Sequence, residues 1–445
     1  MSSSTKSPAS DGSRSGARLG SLAAKSGASG PFLVRIGGRG LSFVLAVLLT
    51  RLLGVHGYGV YAYAIAWTTL LTVPTSIGLD RLLVQYVATY DAHGSLGLLR
   101  GLVRRGREAT LGISLTVIIV MGAVVALAMD KTYAATMLLA LPLIPLQGLV
   151  QVDQSVIQGL RHPELSLVPV YVVAPGALIV LLLTADLAGL DLDSVLAMGL
   201  GIAAVAAALT VAILLRRRYL AEMTVAAEAE HDMATWVHGL APLAFVALVT
   251  TASSQIDIIM LGILGDASDV GRFQVTLRVA QLVSLVLAGV NTSLAPRLAR
   301  FYALGERDRL RAAAVTASQH SLFYSLPVAT ILLVFHSWFF KIFGSGLSGL
   351  GTPLAILIGA ELLNAAAGSV GTVLTMTGRG AMAGYAMLAA LVLDGILCVA
   401  LIPPLGLSGA AIASGADLIL WNLALTVVVK VQMGFNATAF AVKES

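Results

Sequence analysis

Apolar stretches of span length follow one another along nearly the whole chain. They fall at about 32–53, 58–79, 110–129, 133–157, 165–184 and 194–215, then at about 240–264, 272–294, 314–336, 352–376, 381–401 and 409–430. Each approaches the ~20 apolar residues that a helix needs to cross a bilayer. The pattern also repeats. A shift of 212 residues lays Gly59 on Gly271, Tyr61 on Phe273, Leu82 on Leu294 and Tyr90 on Tyr302 with no gap. A repeat near half the chain length means two homologous halves, and transporters built this way hold their substrate between the halves.

The predicted fold class is therefore all-α: a polytopic membrane protein of about 12 transmembrane helices, in two homologous six-helix lobes with a central cavity. The predicted divisions are a disordered basic cytoplasmic tail over 1–30, an N-terminal lobe over 31–215, a cytoplasmic linker over 216–239, a C-terminal lobe over 240–430 and a cytoplasmic tail over 431–445. The first tail is Ser, Gly and Ala with Lys6, Arg14, Arg18 and Lys25, a composition that cannot bury a core. It does not read as a cleaved signal, because the apolar run from Phe32 is span-length and belongs to the repeat.

Composition agrees. Of 445 residues, 57% are hydrophobic and 11% charged, against about 25% charged in soluble domains. The net charge of +5 does not indicate nucleic acid, since the basic residues cluster at span ends. A single cysteine, Cys398, excludes an intrachain disulfide. With a cytoplasmic N terminus, 21 of the 28 Lys and Arg fall on the inner side and four, Arg51, Lys131, Arg272 and Lys341, on the outer side. The positive-inside rule then places both termini in the cytoplasm. The longest connections expected are Asp80–Arg107, Arg216–Trp236 and Pro296–Arg311, all cytoplasmic.

Polar residues inside spans form stripes at helical spacing. Arg35, Arg39, Ser42, Ala46 and Thr50 share one face of the first span. Gln147, Gln151, Gln154 and Gln158 share one face of the fourth, Thr250, Ser254 and Asp257 one face of the seventh, and Gln274, Arg278 and Gln281 one face of the eighth. Such stripes face a water-filled cavity or another helix, not lipid. Arg35 is close enough to the inner end to snorkel to the interface, whereas Arg39 is roughly 10 Å deep. Asp257 and Arg278 stand at matching depth on adjacent spans, so a structural ion pair competes with a cavity role. Asp80 and Arg81 read as an interfacial pair ending the second span. Glu361, Asp394 and Asp417 are candidate proton or cation sites, with helix-to-helix hydrogen bonding as the alternative. No Walker A, His-Glu-x-x-His or Gly-x-Ser-x-Gly motif occurs.

The run Leu49-Thr50-Arg51-Leu52-Leu53-Gly54, with Gly57-Tyr58-Gly59-Val60-Tyr61 and Tyr86-Val87-Ala88, resembles the start of a polysaccharide-biosynthesis flippase of the Wzx type. Asp257-Ile258-Ile259-Met260-Leu261-Gly262 and Pro403-Pro404-Leu405-Gly406-Leu407-Ser408-Gly409 resemble its second half. The wider superfamily, of multidrug, oligosaccharidyl-lipid and polysaccharide exporters, includes cation antiporters and lipid II flippases. The resemblance implies a non-enzymatic flippase that moves an undecaprenyl-pyrophosphate-linked oligosaccharide across the bacterial plasma membrane by alternating access. It implies a lipid-linked glycan substrate, membrane lipids, and the polymerase and glycosyltransferases of the same pathway as partners, with no nucleic acid, cofactor or metal. In this reading Arg39, Arg278 and Arg35 are the cavity cations for pyrophosphate. Gln147, Gln151, Gln154, Gln274, Gln281 and Asp257 are the polar lining, and Glu361, Asp394 and Asp417 the ion-coupling candidates. An inside-negative potential favours export of an anion by about 2.3 kcal/mol per charge per 100 mV, so thermodynamics does not demand an ion site. The alternative reading is an ion-coupled small-molecule antiporter.

Overall fold

The computed structural model describes residues 29–76, 78–224, 230, 232–233, 236, 240–377 and 380–441. The basic tail expected over 1–30 lies almost wholly outside the described residues, as does much of the expected linker. Among the described residues the chain is helical, with no strand. The N-terminal lobe comprises α1 (Ser29–Ser76), α2 (Leu79–His93), α3 (Leu96–Ala128), α4 (Lys131–Ala140), α5 (Leu143–Gly159), α6 (Pro163–Leu187, with a π-helical turn at Pro169–Val173) and α7 (Ser194–Thr224). The C-terminal lobe comprises α8 (Leu240–Leu264), α9 (Ala267–Ala303), α10 (Arg307–Val334), α11 (His336–Phe343), α12 (Gly351–Ala367), α13 (Val370–Met376), α14 (Gly380–Leu405) and α15 (Leu407–Met433).

Among the described residues this makes twelve crossings. Ten described helices are long and apolar enough to span, and α12 with α13 forms an eleventh across a 43° bend. The twelfth comes from α1, whose 48 residues would extend ~72 Å, over twice the apolar thickness of a bilayer. Gly54, at φ 67° and ψ 173°, divides it into α1a (29–53) and α1b (55–76). That conformation is open to glycine and strained for other residues.

Two expected connections are in fact mostly helix. Residues 80–107 form α2 and the start of α3, and α9 continues through Pro296 to Ala303. Helix α2 buries Leu79, Leu82, Leu83, Val87 and Tyr90 against the lobe while exposing charged residues, and left-handed Gly78 and Gly94 bound it. Its charged face lowers the mean hydropathy, which is why an apolar window passes over it. Likewise α7 runs to Thr224, into the range expected for the linker. Beyond α15 the chain turns back instead of trailing away. Ser318 Oγ donates to the Ala437 carbonyl at 2.7 Å, and the Ala439 amide donates to the Ala366 carbonyl at 2.8 Å.

The lobes meet where the repeat brings equivalent residues together. Gly59 and Gly271 sit at the crossing of α1b and α9. A Cβ on Gly59 would overlap the Ala267 carbonyl, and one on Gly271 would meet the Val55 carbonyl oxygen at 2.1 Å. Ser268 and His56, also 212 residues apart, approach to 3.5 Å through Oγ and Nδ1. Residues paired with their own repeat equivalents mark a pseudo-two-fold axis. Beside it, Arg51 Nε donates to the Ile342 carbonyl at 2.7 Å and Arg272 Nε to the Gly346 carbonyl at 3.0 Å, so one segment is held from both lobes. Toward the opposite end the lobes still touch through Phe32 and Gly289.

Gly59→Leu and Gly271→Leu are each expected to push the lobes apart at this crossing. Spin-label distances between positions 56 and 268 should lengthen by several ångströms, and an unchanged distribution would contradict the close packing.

Candidate functional site

A cavity of about 430 Å³ lies between the lobes. Helix α1b lines it with Thr69, Val73 and Ser76, α2 with Asp80, Arg81 and Val84, α5 with Gln151, Gln154, Ser155 and Gln158, and α8 with Ala247 and Thr251. The glutamine stripe therefore faces the cleft between the lobes. Gln147, one turn further along, meets the Thr72 hydroxyl at 3.3 Å. The lining combines the Arg81 guanidinium, the neighbouring Asp80 carboxylate and neutral donors and acceptors. Arg81 can pair with an anion that keeps clear of Asp80, and the amides and hydroxyls can hydrogen-bond hydroxyl-rich groups. Arg81, which reads from sequence as an interfacial partner of Asp80, is the cation that lines this space. Left-handed Gly78 turns the chain into α2, and position within a span could not reveal that turn.

The expected cavity arginines lie elsewhere on the lobe boundary. Arg278 is half-buried near the closed end, where its guanidinium and the Gln274 amide reach the Tyr58 hydroxyl of the other lobe. Helical side chains lean toward their N terminus, so Arg278 points at the crossing and away from the open end. Arg35 and Arg39 are exposed. Arg39 shares a helical stripe with Phe32, whose ring lies 3.7 Å from the Cβ position of Gly289, and with Phe43, which packs edge-on against Phe343 at 5.3 Å. Arg39 thus stands between two contacts with the C-terminal lobe. Gln281 is exposed.

Asp257 departs from expectation. It is buried inside the C-terminal lobe and makes no ion pair with Arg278 in this conformation. It turns to α14 and α15. The Cys398 thiol lies 3.6 Å from its carboxylate and 3.7 Å from that of Asp394. Asp394 and Ser414 hydrogen-bond Asp257, and Asp417 is close enough to repel. One oxygen each of Asp394 and Asp417 is buried with no hydrogen-bond partner. Among the described residues none of the three carboxylates has a basic partner. Like charges this close in an apolar lobe share a proton or hold a cation. Donor atoms of Asp257, Asp394 and Cys398 lie within 4.8 Å of one another, a spacing a small cation could bridge. Glu361 is separate. It accepts from Asn364 at 3.1 Å, and Asn364 in turn accepts from Asn422 at 3.0 Å.

The N-terminal lobe has a buried carboxylate of the opposite kind, one that the sequence reading passed over. Asp153, fully buried on α5, accepts from Arg107 of α3 and forms an ion pair with Arg216 of α7 at 2.9 Å. A carboxylate amid three cavity-facing glutamines, off their face of the helix, was the available signal.

Two six-helix lobes around a polar cleft define a polytopic membrane transporter fold. The polysaccharide biosynthesis protein family matches over residues 26–302, more than half of the chain, and the chain belongs to that family. The MatE family matches over residues 242–401. A probable low-salt glycan biosynthesis flippase of Haloferax volcanii is 26% identical over 162 residues, which cover 36% of this chain and 34% of that protein. Among solved structures, an inward-facing multidrug resistance MATE transporter superposes with a TM-score of 0.72 at 12% identity, covering 91% of this chain and 98% of that one. The lipid II flippase MurJ in an inward closed conformation gives 0.71 at 15% identity, covering 89% and 87%. These likenesses confirm the all-α, two-lobed fold.

Removing the carboxylate of Asp153 leaves two guanidinium groups facing each other in the lobe. Asp153→Asn should destabilise the protein by about 3 kcal/mol, the lower end for a broken buried pair, since both arginines keep some solvent contact. Denaturant unfolding in detergent measures this, and a change below ~1 kcal/mol would mean the triad is not structural.

Proposed function

We propose that this protein flips a lipid-linked oligosaccharide across a plasma membrane by alternating access. The observation that carries the reading is the inter-lobe cavity, with Arg81 beside a ladder of glutamines, in a chain of the polysaccharide biosynthesis family. The guanidinium suits the pyrophosphate, the amides and hydroxyls suit sugars, and the lipid tail stays in the bilayer through the gap between lobes. With the arginine-rich ends cytoplasmic, the cavity opens inward and the Gly59–Gly271 crossing closes the outer side. Arg39 on the lobe boundary and Arg278 near the closed end are then the next cations along the path outward. Bacterial plasma-membrane placement and partnership with glycan-assembling enzymes belong to the same reading.

The acidic cluster adds a driving ion to the membrane potential. A cation or proton bound among Asp257, Asp394 and Asp417 relieves their mutual repulsion, and its occupancy can bias the lobe. The same cluster favours a second reading, an ion-coupled antiporter of small molecules, which the similarity to multidrug transporters also supports.

Flipping of a fluorescent lipid-linked glycan in vesicles, with imposed ion gradients and potential, separates the two readings. Arg81→Ala should lower the rate at least about tenfold, as loss of a charge-assisted bond worth more than 1.4 kcal/mol requires, with Arg81→Lys recovering part. Asp257→Asn and Asp394→Asn should abolish the response to the ion gradient, while Glu361→Gln keeps it. Transport of organic cations by vesicles that leave the glycan lipid unmoved would establish the antiporter instead.

A further inference from the structure

We propose that the groove between α9 and α10 binds an anionic glycerophospholipid of the surrounding leaflet, with its phosphate at Arg297 and Arg309. This groove of about 440 Å³ is lined by these two helices alone, so its mouth opens away from the rest of the lobe. Its floor is made of small residues, Ala313 and Ala317, against a wall of Leu294 and Phe301. The outer face of α10 beside it exposes Phe323, Leu326 and Ile331, side chains that meet acyl chains in a membrane.

Position along the helices matches a lipid. Arg297 lies just beyond the apolar run of α9, and Arg309 just before that of α10, so both stand at the membrane border where lipid phosphates lie. From there the groove follows α9 to Val290, ~10 Å, and α10 past His320 to Tyr324, ~22 Å, about the depth of one leaflet.

Charge selects an anion. Arg297 is exposed and makes no ion pair among the described residues. Arg309 Nη1 meets the Glu306 carboxylate at 3.1 Å, but the two side chains are 71% and 32% exposed, so this pair is weak and exchanges readily for a phosphate. Residues 297–311 carry five arginines against two acids. Basic pockets between membrane helices at this level hold anionic headgroups.

The groove is separate from the transport path. Gly289, against Phe32, marks the side of α9 that faces the N-terminal lobe. At about 100° per residue, Val290, Leu294, Arg297 and Phe301 are turned roughly a quarter to a third of a turn from it. The occupant is thus a resident membrane lipid and not the transported one, and the inference does not depend on the proposed function.

The test reconstitutes the full chain in phosphatidylcholine vesicles with traces of a photoreactive phosphatidylglycerol or a photoreactive phosphatidylcholine, and maps labelled peptides by mass spectrometry. Labelling of 290–301 and 309–324 by the anionic probe should exceed that by the zwitterionic one about tenfold. Excess unlabelled phosphatidylglycerol should displace it in the unaltered protein. R297A/R309A should reduce it to the zwitterionic level, and R297K/R309K should retain most of it. Equal labelling by the two probes would overturn the proposal, as would labelling indifferent to R297A/R309A in protein of unchanged melting temperature. Displacement by inorganic phosphate alone, or by a polyprenyl-pyrophosphate glycan more strongly than by phosphatidylglycerol, would overturn it as well.

Discussion

The architecture depends on two helices touching backbone to backbone. Within a bilayer, burying apolar side chains against each other gains little over burying them in lipid, so close packing and small residues hold helices together. Gly59 and Gly271 supply that contact, and nothing larger fits between the Val55 and Ala267 carbonyls. The neighbouring Gly262 has the Tyr63 ring where its own Cβ would stand. The crossing lies at one end of α1b and α9, and the polar cavity lies further along α1b. The glycine pair thus fixes how closely the two lobes approach beside that cavity.

The lobes share a fold and differ in how they treat buried charge. In the N-terminal lobe Asp153 is held between two arginines from two other helices. Its charge is fixed in place, and it ties together the ends of α3, α5 and α7. In the C-terminal lobe Asp257, Asp394 and Asp417 gather, and among the described residues they have no basic partner and two of their oxygens have no hydrogen-bond partner. An arrangement that is costly when empty changes energy most when something binds. The asymmetry assigns rigidity to one lobe and responsiveness to the other, although both descend from one repeat.

Much of this was legible in the sequence, and the rest was hidden for identifiable reasons. Hydropathy located all twelve crossings because desolvating the backbone leaves a chain this apolar no alternative to helices. The repeat matched Gly59 to Gly271 because a steric constraint at a symmetry axis acts on both copies alike. The stripe from Gln151 to Gln158 was readable as a cavity face, since helical periodicity alone fixes which side chains share a direction. What stayed hidden depends on how helices are rotated against one another. Arg81 follows a break in the helix, so its direction could not be carried over from α1b. Asp257 shares a stripe with Ser254 and Thr250, but the stripe is turned toward α14 and away from the cleft. Pairing it with Arg278 by depth alone neglected that rotation, and α2 escaped because amphipathic helices at the membrane border do not register as spans.

Helix α8 connects the two kinds of site. Near one end it contributes Ala247 and Thr251 to the cavity wall, and near the other it carries Asp257 into the acidic cluster. Six residues separate Thr251 from Asp257, ~9 Å along a continuous helix. A helix of this length moves as a body, because bending it would strain its ladder of backbone hydrogen bonds where no water can replace them. Any shift of α8 that improves the fit of the carboxylates around a cation therefore also displaces the wall that faces the substrate. Meanwhile the N-terminal side of the cavity is braced by the Asp153 triad behind the glutamine stripe, and the linker is anchored to the same lobe by Trp236 Nε1, which donates to the Tyr90 hydroxyl at 2.9 Å. One wall is held by a buried ion-pair triad, and the other is carried on a helix that also bears a carboxylate of the acidic cluster.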